Sequence, residues 1–219
     1  MNKVLLMVGS HRKDKSTSNS LGEYLLDNFK TIDIETDKLF VHSDYNQDED
    51  RILMKVKWAD LIILSFPLYV DSLPAPVIKS LEMIKKGKEK TKHKQFFAIS
   101  NSGFPEAAHN NTALKVCRQF SEQMEWEWIG GLAVGMGAAV DGKSLEEIKG
   151  MGDNIIVKLD NIFDFIIIEG KGVGIVEVEP SIPKWLYVFM GNMGWRFQAI
   201  KNGVWKKLHN KPYEENKFL

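Results

Sequence analysis

"VGSHRKDKSTSNSLGEYL", residues 8–25, joins the end of an apolar run to the start of a helical pattern. The apolar run "KVLLMV" (3–8) precedes it, and a segment rich in Ser, Thr and Asn fills the interval before Leu21. A strand, a loop and a helix in this order form the repeating unit of a parallel α/β sheet. The polar loop is explained either by solvation or by a bound ligand, and its composition leaves both explanations open.

The same alternation of apolar runs and helical patterns continues to about residue 168. Strands are predicted, most of them almost continuously apolar, at 3–8, 32–41, 60–66, 95–100 and 127–134. Helices are predicted at 21–29, 49–58, 77–86, 112–124 and 145–165. Capping boxes, Ser20 with Glu23 and Ser144 with Glu147, predict two of the helix starts. Apolar runs of this kind suit parallel strands that are covered on both faces, so we expect an α/β fold with a doubly wound five-stranded parallel sheet.

The pattern changes after residue 168. "GKGVGIVEVEPSIPKW" (170–185) interrupts the alternation with Gly and Pro, and "WLYVFMGNMGWRFQAIKNGVW" (185–205) holds three of the six tryptophans. We therefore predict a domain over 1–168 and a C-terminal aromatic-rich extension over 169–219. Because aromatic residues are enriched at interfaces, we predict a homodimer with contacts in 182–205 rather than a membrane partner. Packing of the extension on its own domain also remains open, and its basic residues keep binding to a membrane surface open as a further alternative.

Composition narrows the class of protein. Lys and Arg together number 29, as do Asp and Glu, so no net positive charge indicates a nucleic-acid partner. The single cysteine, Cys117, fits a reducing compartment. We predict a cytoplasmic protein, because the chain shows neither a signal-peptide pattern nor a run of roughly 18 apolar residues. The five histidines are scattered, without the spacing of a metal site or a catalytic triad.

Three loops at predicted strand ends have the composition of ligand-binding loops. In open parallel sheets, ligands bind beyond the C-terminal ends of the strands. The opening stretch places small hydroxyl and amide side chains, Ser16 to Asn19, together with Arg12 before a helix N-terminus, where a phosphate is stabilised. It has neither the glycine pattern of a dinucleotide site nor that of a P-loop, so the ligand predicted for it is a monophosphate.

The other two loops are "PLYVDSLPAP" (67–76) and "NSGFPEAAHNN" (101–111). In the first, Tyr69 and its apolar neighbours are held by three prolines, an arrangement that suits a flat ring. Packing of Tyr69 and Leu73 on the helix beneath explains this loop equally well. In the second, Gly103 permits close backbone approach beside polar Asn101 and Ser102, although an ordinary turn has the same composition.

Taken together, these loops resemble those of the NAD(P)H-dependent FMN reductase family, which has a flavodoxin-like fold. "GSHRKDKSTSNSL" (9–21) is similar to the first flavin loop of that family, which begins G-S-x-R. "ADLIILSFPLYVDSLPAPVIKSLE" (59–82) is similar to its segment containing P-x-Y, and "NSGF" followed by Glu106 occupies the position of its third flavin loop. The resemblance covers roughly residues 1–165.

The resemblance implies an FMN cofactor, NADPH or NADH as reductant, and a small-molecule electron acceptor of quinone, nitro, azo or flavin type. The residues that it implies for the phosphate are Ser10, Arg12, Ser18, Asn19 and Ser20. Those that it implies for the flavin ring are Pro67, Leu68, Tyr69, Val70, Leu73, Asn101, Ser102, Gly103 and Phe104. No catalytic side chain is implied, because the cofactor supplies the redox chemistry. The alternatives are a flavodoxin-like electron-transfer protein without NAD(P)H turnover and an interaction module without flavin.

Overall fold

Six parallel strands form one sheet at the centre of the first part of the chain. They are β1 (Lys3–Val8), β2 (Glu35–Phe40), β3 (Leu61–Pro67), β4 (Gln95–Asn101), β5 (Glu127–Val134) and β6 (Ile175–Val178). Their order is β2-β1-β3-β4-β5-β6, which is the flavodoxin-like order with one further strand. The computed structural model describes residues 1–44, 49–87, 91, 93–148, 150–169 and 172–210.

Helices cover both faces of this sheet. They are α1 (Thr17–Lys30), α2 (Val41–Asp44), α3 (Glu49–Trp58), α4 (Ala75–Lys86), α5 (Asn111–Met124) and α6 (Asp153–Asp164), which continues as a π-helix over Phe165–Glu169. Side chains of α3, α4 and α5 pack in one core, and those of α1 and α6 pack in a second. Strand β1 supplies both, with Leu5 in the first core and Leu6 in the second. The predicted doubly wound α/β fold is confirmed.

The sheet has one strand more than the five predicted. Strand β6 pairs with β5 in the register Gly131 to Ile175, and the amide of Gly131 donates to the carbonyl of Gly174 at 2.8 Å. The sequence did not predict β6, because four residues between glycines and a proline are too short to show a periodic pattern. The first compact unit ends at Ser181, and the second comprises Ile182–Leu219. Strand β6 thus lies after the boundary predicted at 168.

Both predicted capping boxes misplace a helix start. Helix α1 begins at Thr17, where Ser16 is the N-cap and its Oγ accepts a hydrogen bond from the amide of Asn19 at 3.1 Å. Ser144 does accept from the amide of Glu147 at 3.4 Å, but α6 begins only at Asp153. A capping box stabilises one turn without ensuring that a helix follows it. At Gly150 the backbone has φ +76°, which ends the local turn before α6 starts.

In the second unit, the described residues 182–210 form helix α7 (Lys184–Lys201) and a 3₁₀ turn at Trp205–Lys207. Pro183 precedes the helix, and Gly203, with φ +69°, follows its C-terminus. Most of its large apolar side chains are exposed. Within the described ranges, no helix combines the length and the apolar character needed to cross a bilayer.

Candidate functional site

The three predicted ligand loops meet at the C-terminal edge of the sheet. The switch in strand order falls between β1 and β3, where the amide of Gly9 donates to the carbonyl of Ser65 at 2.7 Å. A fourth loop, 135–142 after β5, joins them, because the hydroxyl of Thr17 donates to the carbonyl of Gly137 at 2.8 Å. Ligands of doubly wound folds bind at such a switch point. This edge is therefore the candidate site.

Asn101 connects three of these loops by itself. Its side-chain amide donates to Oγ of Ser18 at 2.8 Å and to the carbonyl of Phe66 at 3.0 Å. Its backbone carbonyl accepts from the backbone amide of Leu68 at 2.8 Å. Asn101 and Ser18 are both buried, so these hydrogen bonds are shielded from water. One residue thus fixes the starts of the second and third loops relative to the first turn of α1.

The first loop presents a helix N-terminus that is free to bind an anion. In the described part of the chain, the amides of Thr17 and Ser18 have no hydrogen-bond partner, as is usual for the first positions of a helix. The loop that leads to them starts at Gly9, where an added Cβ would lie 2.5 Å from Cγ2 of Val77 and 2.8 Å from Cβ of Phe66. Glycine is therefore required for the close approach of this loop to β3 and α4.

Cationic side chains surround the same loop. The guanidinium of Arg12 lies 3.1 Å from Oδ1 of Asp141 in the fourth loop, and both side chains are at least half exposed. Lys13 and Lys15 are exposed on the 3₁₀ turn that precedes Ser16. An exposed ion pair of this kind contributes little stability, about 0–1 kcal/mol. Arg12 can therefore exchange Asp141 for an anionic ligand at low cost.

Two of the residues implied for the phosphate are bonded elsewhere. The side-chain amide of Asn19 donates to Oε2 of Glu23 at 2.7 Å, and its oxygen accepts from Nζ of Lys38 at 3.3 Å. Burial opposes the charge of Lys38, but hydrogen bonds to Glu23 and Asp14 raise its pKa. Ser20 donates from its hydroxyl to the carbonyl of Ser16 within the helix, at 3.3 Å.

Residues 69–72 of the second loop form an exposed turn with a strained backbone. Tyr69 and Ser72 exchange two backbone hydrogen bonds, of 3.0 and 3.1 Å. Val70 has φ +50° and Asp71 has φ +56°, the signature of a type I′ turn. A β-branched residue in this conformation is unusual, and the side chain of Val70 is 99% exposed. Such strain at a loop tip is typical of functional sites.

The other side chains of the second loop divide into two groups. Pro67, Leu68 and Tyr69 are partly or largely exposed, and the hydroxyl of Tyr69 lies 3.2 Å from Nδ1 of His11 in the first loop. Leu73 is only 4% exposed and belongs to the core that contains α4. Its position favours the interpretation that this residue packs on the helix beneath.

The third loop combines buried polar groups with an exposed tip. The Ser102 hydroxyl accepts from the side-chain amide of Asn110 at 3.2 Å, and both residues are buried. Gly103 and Phe104 are exposed, and the ring of Phe104 lies against that of His109 with centroids 4.5 Å apart. An aromatic surface therefore stands beside the polar edge of Asn101 and Ser102.

Sequence reasoning did not identify His11, Gly137 or Asp141 as neighbours of the site. Each touches a candidate residue that is distant along the chain, and no local pattern predicts such a contact. The segment "GMG" (135–137) follows β5 directly. Its carbonyl at Gly137 is the acceptor for Thr17, a role that its sequence does not indicate.

The fold and this edge define a flavodoxin-like α/β protein in which a helix N-terminus with two unpaired amides, in the described part of the chain, lies beside an apolar and aromatic loop. The chain belongs to the NADPH-dependent FMN reductase family, whose model matches residues 2–124. It is accordingly an NAD(P)H-dependent flavin oxidoreductase with FMN as its cofactor. A comparison with curated proteins gives no match.

Solved structures share the fold at low sequence identity. A putative quinone reductase from Klebsiella pneumoniae has TM-score 0.58 at 13% identity and covers 77% of this chain and 86% of its own. An FMN-dependent NADH-azoreductase from Bacillus anthracis, in complex with FMN, has TM-score 0.57 at 13% identity and covers 75% and 99%. A WrbA-like flavodoxin from Agrobacterium tumefaciens has TM-score 0.50 at 16% identity and covers 59% and 77%. These similarities establish the flavodoxin-like fold.

The residues present fit FMN. A monophosphate requires donors without a hydrogen-bond partner, which the amides of Thr17 and Ser18 supply beside the cation of Arg12. A flat ring requires apolar and aromatic surface, which the exposed Tyr69 and Phe104 supply beside the buried polar residues Asn101 and Ser102. Both sets lie on loops that hydrogen bonds connect directly.

Proposed function

We propose that this protein passes hydride from NADPH or NADH, through FMN bound at the C-terminal edge of the sheet, to a quinone-, nitro-, azo- or flavin-type acceptor. The observation that carries this proposal is the set of hydrogen bonds of Asn101, which joins the loop suited to the phosphate to both loops suited to the ring. Membership in the reductase family supports the use of a reduced pyridine nucleotide. The similarity to a quinone reductase and to azoreductases motivates the choice of acceptors.

In this proposal the phosphate binds the first turn of α1. The amides of Thr17 and Ser18 donate to it, and the hydroxyls of Ser10 and Ser18 complete the site with Arg12. Ser18 already accepts from Asn101, so its own hydroxyl hydrogen remains available to a phosphate oxygen. Asn19 and Ser20 act differently, because their bonds to Glu23 and to the carbonyl of Ser16 hold the start of the helix.

The ring lies between the second and third loops in the same proposal. The residues proposed to contact it are Pro67, Leu68, Tyr69 and Val70 on one side and Asn101, Ser102, Gly103 and Phe104 on the other. Bound FMN supplies the hydride chemistry, and the protein positions it and excludes competing reactions. The buried hydrogen bonds of Asn101 keep the polar edge of the site in one arrangement. The exposed tips of both loops leave room for the two substrates to use the site in turn.

The first experiment tests the cofactor and the turnover. Purified protein reconstituted with FMN is expected to show the absorbance of bound flavin, to lose it on addition of NADPH or NADH, and to regain it on addition of a quinone. Initial-rate plots should give parallel lines, because donor and acceptor use one site in turn. Protein that remains colourless after incubation with FMN would refute the proposal. Flavin that only a partner protein can reduce would favour the electron-transfer alternative.

The second experiment tests the phosphate site. Ser18→Ala and Arg12→Ala are each expected to weaken FMN by about 1.5–3 kcal/mol, the value of a hydrogen bond to a charged group. Riboflavin, which has no phosphate, should be affected far less by Arg12→Ala, whereas Ser18→Ala also removes the acceptor of the Asn101 amide and can weaken both ligands. Ser20→Ala is the matched control, because it removes a hydroxyl of the same helix that is bonded internally. Equal weakening of FMN and riboflavin by Arg12→Ala would show that the loop does not hold the phosphate.

Other expectations remain predictions. The identity of the acceptor, the preference for NADPH or NADH and the cytoplasmic location each require a separate measurement. The homodimer with contacts in 182–205 also remains a prediction, and the experiment described below tests it together with an alternative occupant of the same segment.

A further inference from the structure

Helix α7 carries an apolar stripe along its length, in which Leu186 and Met193 are partly buried and the other side chains are exposed. Leu186, Phe189, Met193, Phe197 and Ile200 follow one another at steps of three, four, four and three residues, and Met190 lies beside them. This spacing keeps them on one face of a helix. Phe189 and Phe197 are 57% and 63% exposed, and Met190 and Ile200 are exposed to a similar degree. Apolar faces of this size on soluble proteins mark a binding surface.

The charge of the same segment is of one sign. From Ile182 to Asn210 the sequence has no Asp or Glu, and its cations are Lys184, Arg196, Lys201, Lys206 and Lys207. Because the complete chain has equal numbers of acidic and basic residues, the remainder carries a net negative charge of five. The segment is therefore a localised cationic surface on a protein that is otherwise acidic.

We propose that α7 and the turn after it bind the surface of an anionic phospholipid bilayer, with the helix lying in the plane of the membrane. Phe, Met and Leu on one face and Lys or Arg around them are the composition of interfacial helices. Three tryptophans, Trp185, Trp195 and Trp205, are exposed in this segment, and Trp prefers the headgroup region of a bilayer. The long basic side chains can direct their charges to lipid phosphates while their stems remain on the apolar face.

Charge favours an anionic bilayer over the same segment of a second copy as the occupant. In a two-fold contact that packs α7 and the turn after it on the same segment of the partner, five cations would face five cations. No acidic residue in the segment could compensate this repulsion. An anionic bilayer instead attracts each cation. Arg196 and Gln198 in the C-terminal half of the helix also fit an orientation along the surface rather than across the bilayer.

The experiment uses the purified full-length protein and vesicles of two compositions. One set is phosphatidylcholine alone, and the other is phosphatidylcholine with 30% phosphatidylglycerol (about a third anionic lipid). We expect co-sedimentation with the anionic vesicles at low salt, weaker binding at high salt, and little binding to phosphatidylcholine alone. A brominated lipid in the anionic vesicles should quench part of the tryptophan fluorescence, because Trp185 at the start of α7 and Trp205 in the turn after it can enter the interface. Trp195 lies on the face of the helix opposite Met193 and Phe197 and should be quenched less.

Variants separate the charge of α7 from its apolar stripe. Arg196→Gln with Lys201→Gln removes two cations and is expected to lower the partition coefficient about 30-fold, since each cation near the surface changes it about five-fold. Phe189→Ser with Phe197→Ser should abolish the quenching. Lys115→Gln with Lys158→Gln is the matched control, because both lysines are exposed on helices of the first unit. Circular dichroism checks that each variant retains its fold.

The outcomes of this experiment are decisive in either direction. Binding that requires anionic lipid and is lost in the α7 variants, but not in the control, supports the proposal. A wild-type protein that does not sediment with anionic vesicles refutes it, and so does one that binds both compositions equally. Analytical ultracentrifugation without lipid tests the other occupant. A stable dimer that Phe189→Ser with Phe197→Ser dissociates, in protein that does not bind vesicles, would assign this face to a second copy. FMN binding is measured separately and decides neither result.

Discussion

Helices α1 and α7 depart from the usual distribution of side chains in opposite ways. The first turn of α1 buries four polar residues, Thr17 to Ser20. Helix α7 exposes Trp185, Phe189, Trp195 and Phe197 along its length. Buried polar groups and exposed apolar patches are informative because folding alone favours neither of them. The buried polar turn of α1 coincides with the surface proposed for an anionic cofactor, and the exposed apolar face of α7 coincides with the surface proposed for an anionic bilayer.

The cost of burying polar groups in α1 is offset within the fold, whereas the cost of exposing apolar groups in α7 is not. Each buried hydroxyl of this turn has a hydrogen-bond partner. Ser18 pairs with the side chain of Asn101, Thr17 with the carbonyl of Gly137 and Ser20 with the carbonyl of Ser16. Such satisfaction removes most of the cost of burying a polar group. In α7, the exposed apolar surface remains in contact with water until a partner covers it. The buried hydroxyls of α1 are thus paired in the isolated fold, and only the amides of Thr17 and Ser18 await a ligand, whereas the apolar face of α7 is covered only by binding.

The largest expected effect is the difference in stability between two truncated proteins, one without α7 and one that also lacks β6. A protein that ends at Ser181 keeps every strand and is expected to fold and to bind FMN. A protein that ends at Glu169 loses β6, with buried Val178 and its pairing to β5, so we expect a loss of at least about 3 kcal/mol or insoluble protein. Urea unfolding of both proteins measures this difference. Equal stability of the two would show that β6 contributes nothing to the sheet.

Gly9→Ala tests the close approach that positions the first loop. The added methyl would meet Val77 and Phe66, so the free energy of unfolding should fall by about 1–3 kcal/mol, as in other overpacked cores. Gly191→Ala in α7 is the matched control, because nothing lies within 4 Å of its added Cβ. That variant should be neutral or slightly stabilising, by up to about 1 kcal/mol. The prediction is wrong if both variants unfold at the same urea concentration.

Val70→Gly tests the strained turn at the exposed tip of the second loop. Glycine adopts a positive φ without steric cost, and the strain relieved is about 1–3 kcal/mol. After the entropic cost of glycine, a net gain of about 1 kcal/mol in unfolding free energy is expected for the protein without FMN. Val70→Ala, which keeps a Cβ, should gain less. A loss of stability in Val70→Gly would contradict the assignment of strain.

The smallest effect concerns the contact of α1 with α6. The Tyr24 hydroxyl donates to Oδ1 of Asp160 at 2.9 Å, and burial together with this bond raises the pKa of Tyr24 to about 12. The ordinary pKa is 10.0, so the stability that this hydroxyl contributes is complete below about pH 10 and is lost as the pH rises toward 12.

This effect is measured as a difference between two proteins. The unfolding free energy of the wild type should fall relative to that of Tyr24→Phe between pH 10 and 12, and the difference should be constant below pH 10. Asp160→Asn should shift the change to lower pH, because it removes the carboxylate that favours the protonated tyrosine. A difference that already varies near pH 8 would show that Tyr24 titrates normally.

Much of the fold could be predicted from the sequence, because buried parallel strands are almost continuously apolar. The strands predicted at 3–8 and 127–134 have the bounds of β1 and β5, and α3 occupies its predicted range. Strand β6 and the starts of α1 and α6 could not be predicted in this way. Strand β6 is too short to show a periodic pattern. The start of α1 depends on Ser16 and the start of α6 on the turns before Asp153, and the predicted capping boxes identify neither.

The sequence by itself determined which loops form the candidate site, since a parallel sheet brings the C-terminal ends of its strands to one edge. It also determined the charge and aromatic content of the last segment. Only the tertiary structure decided which side chains meet at that edge. Ser18 and Asn101 are 83 residues apart in sequence, and their hydrogen bond depends on strand register and on the position of α1 over the sheet. Composition and periodicity are local properties of the chain, whereas contacts between distant residues depend on the packing of several elements at once.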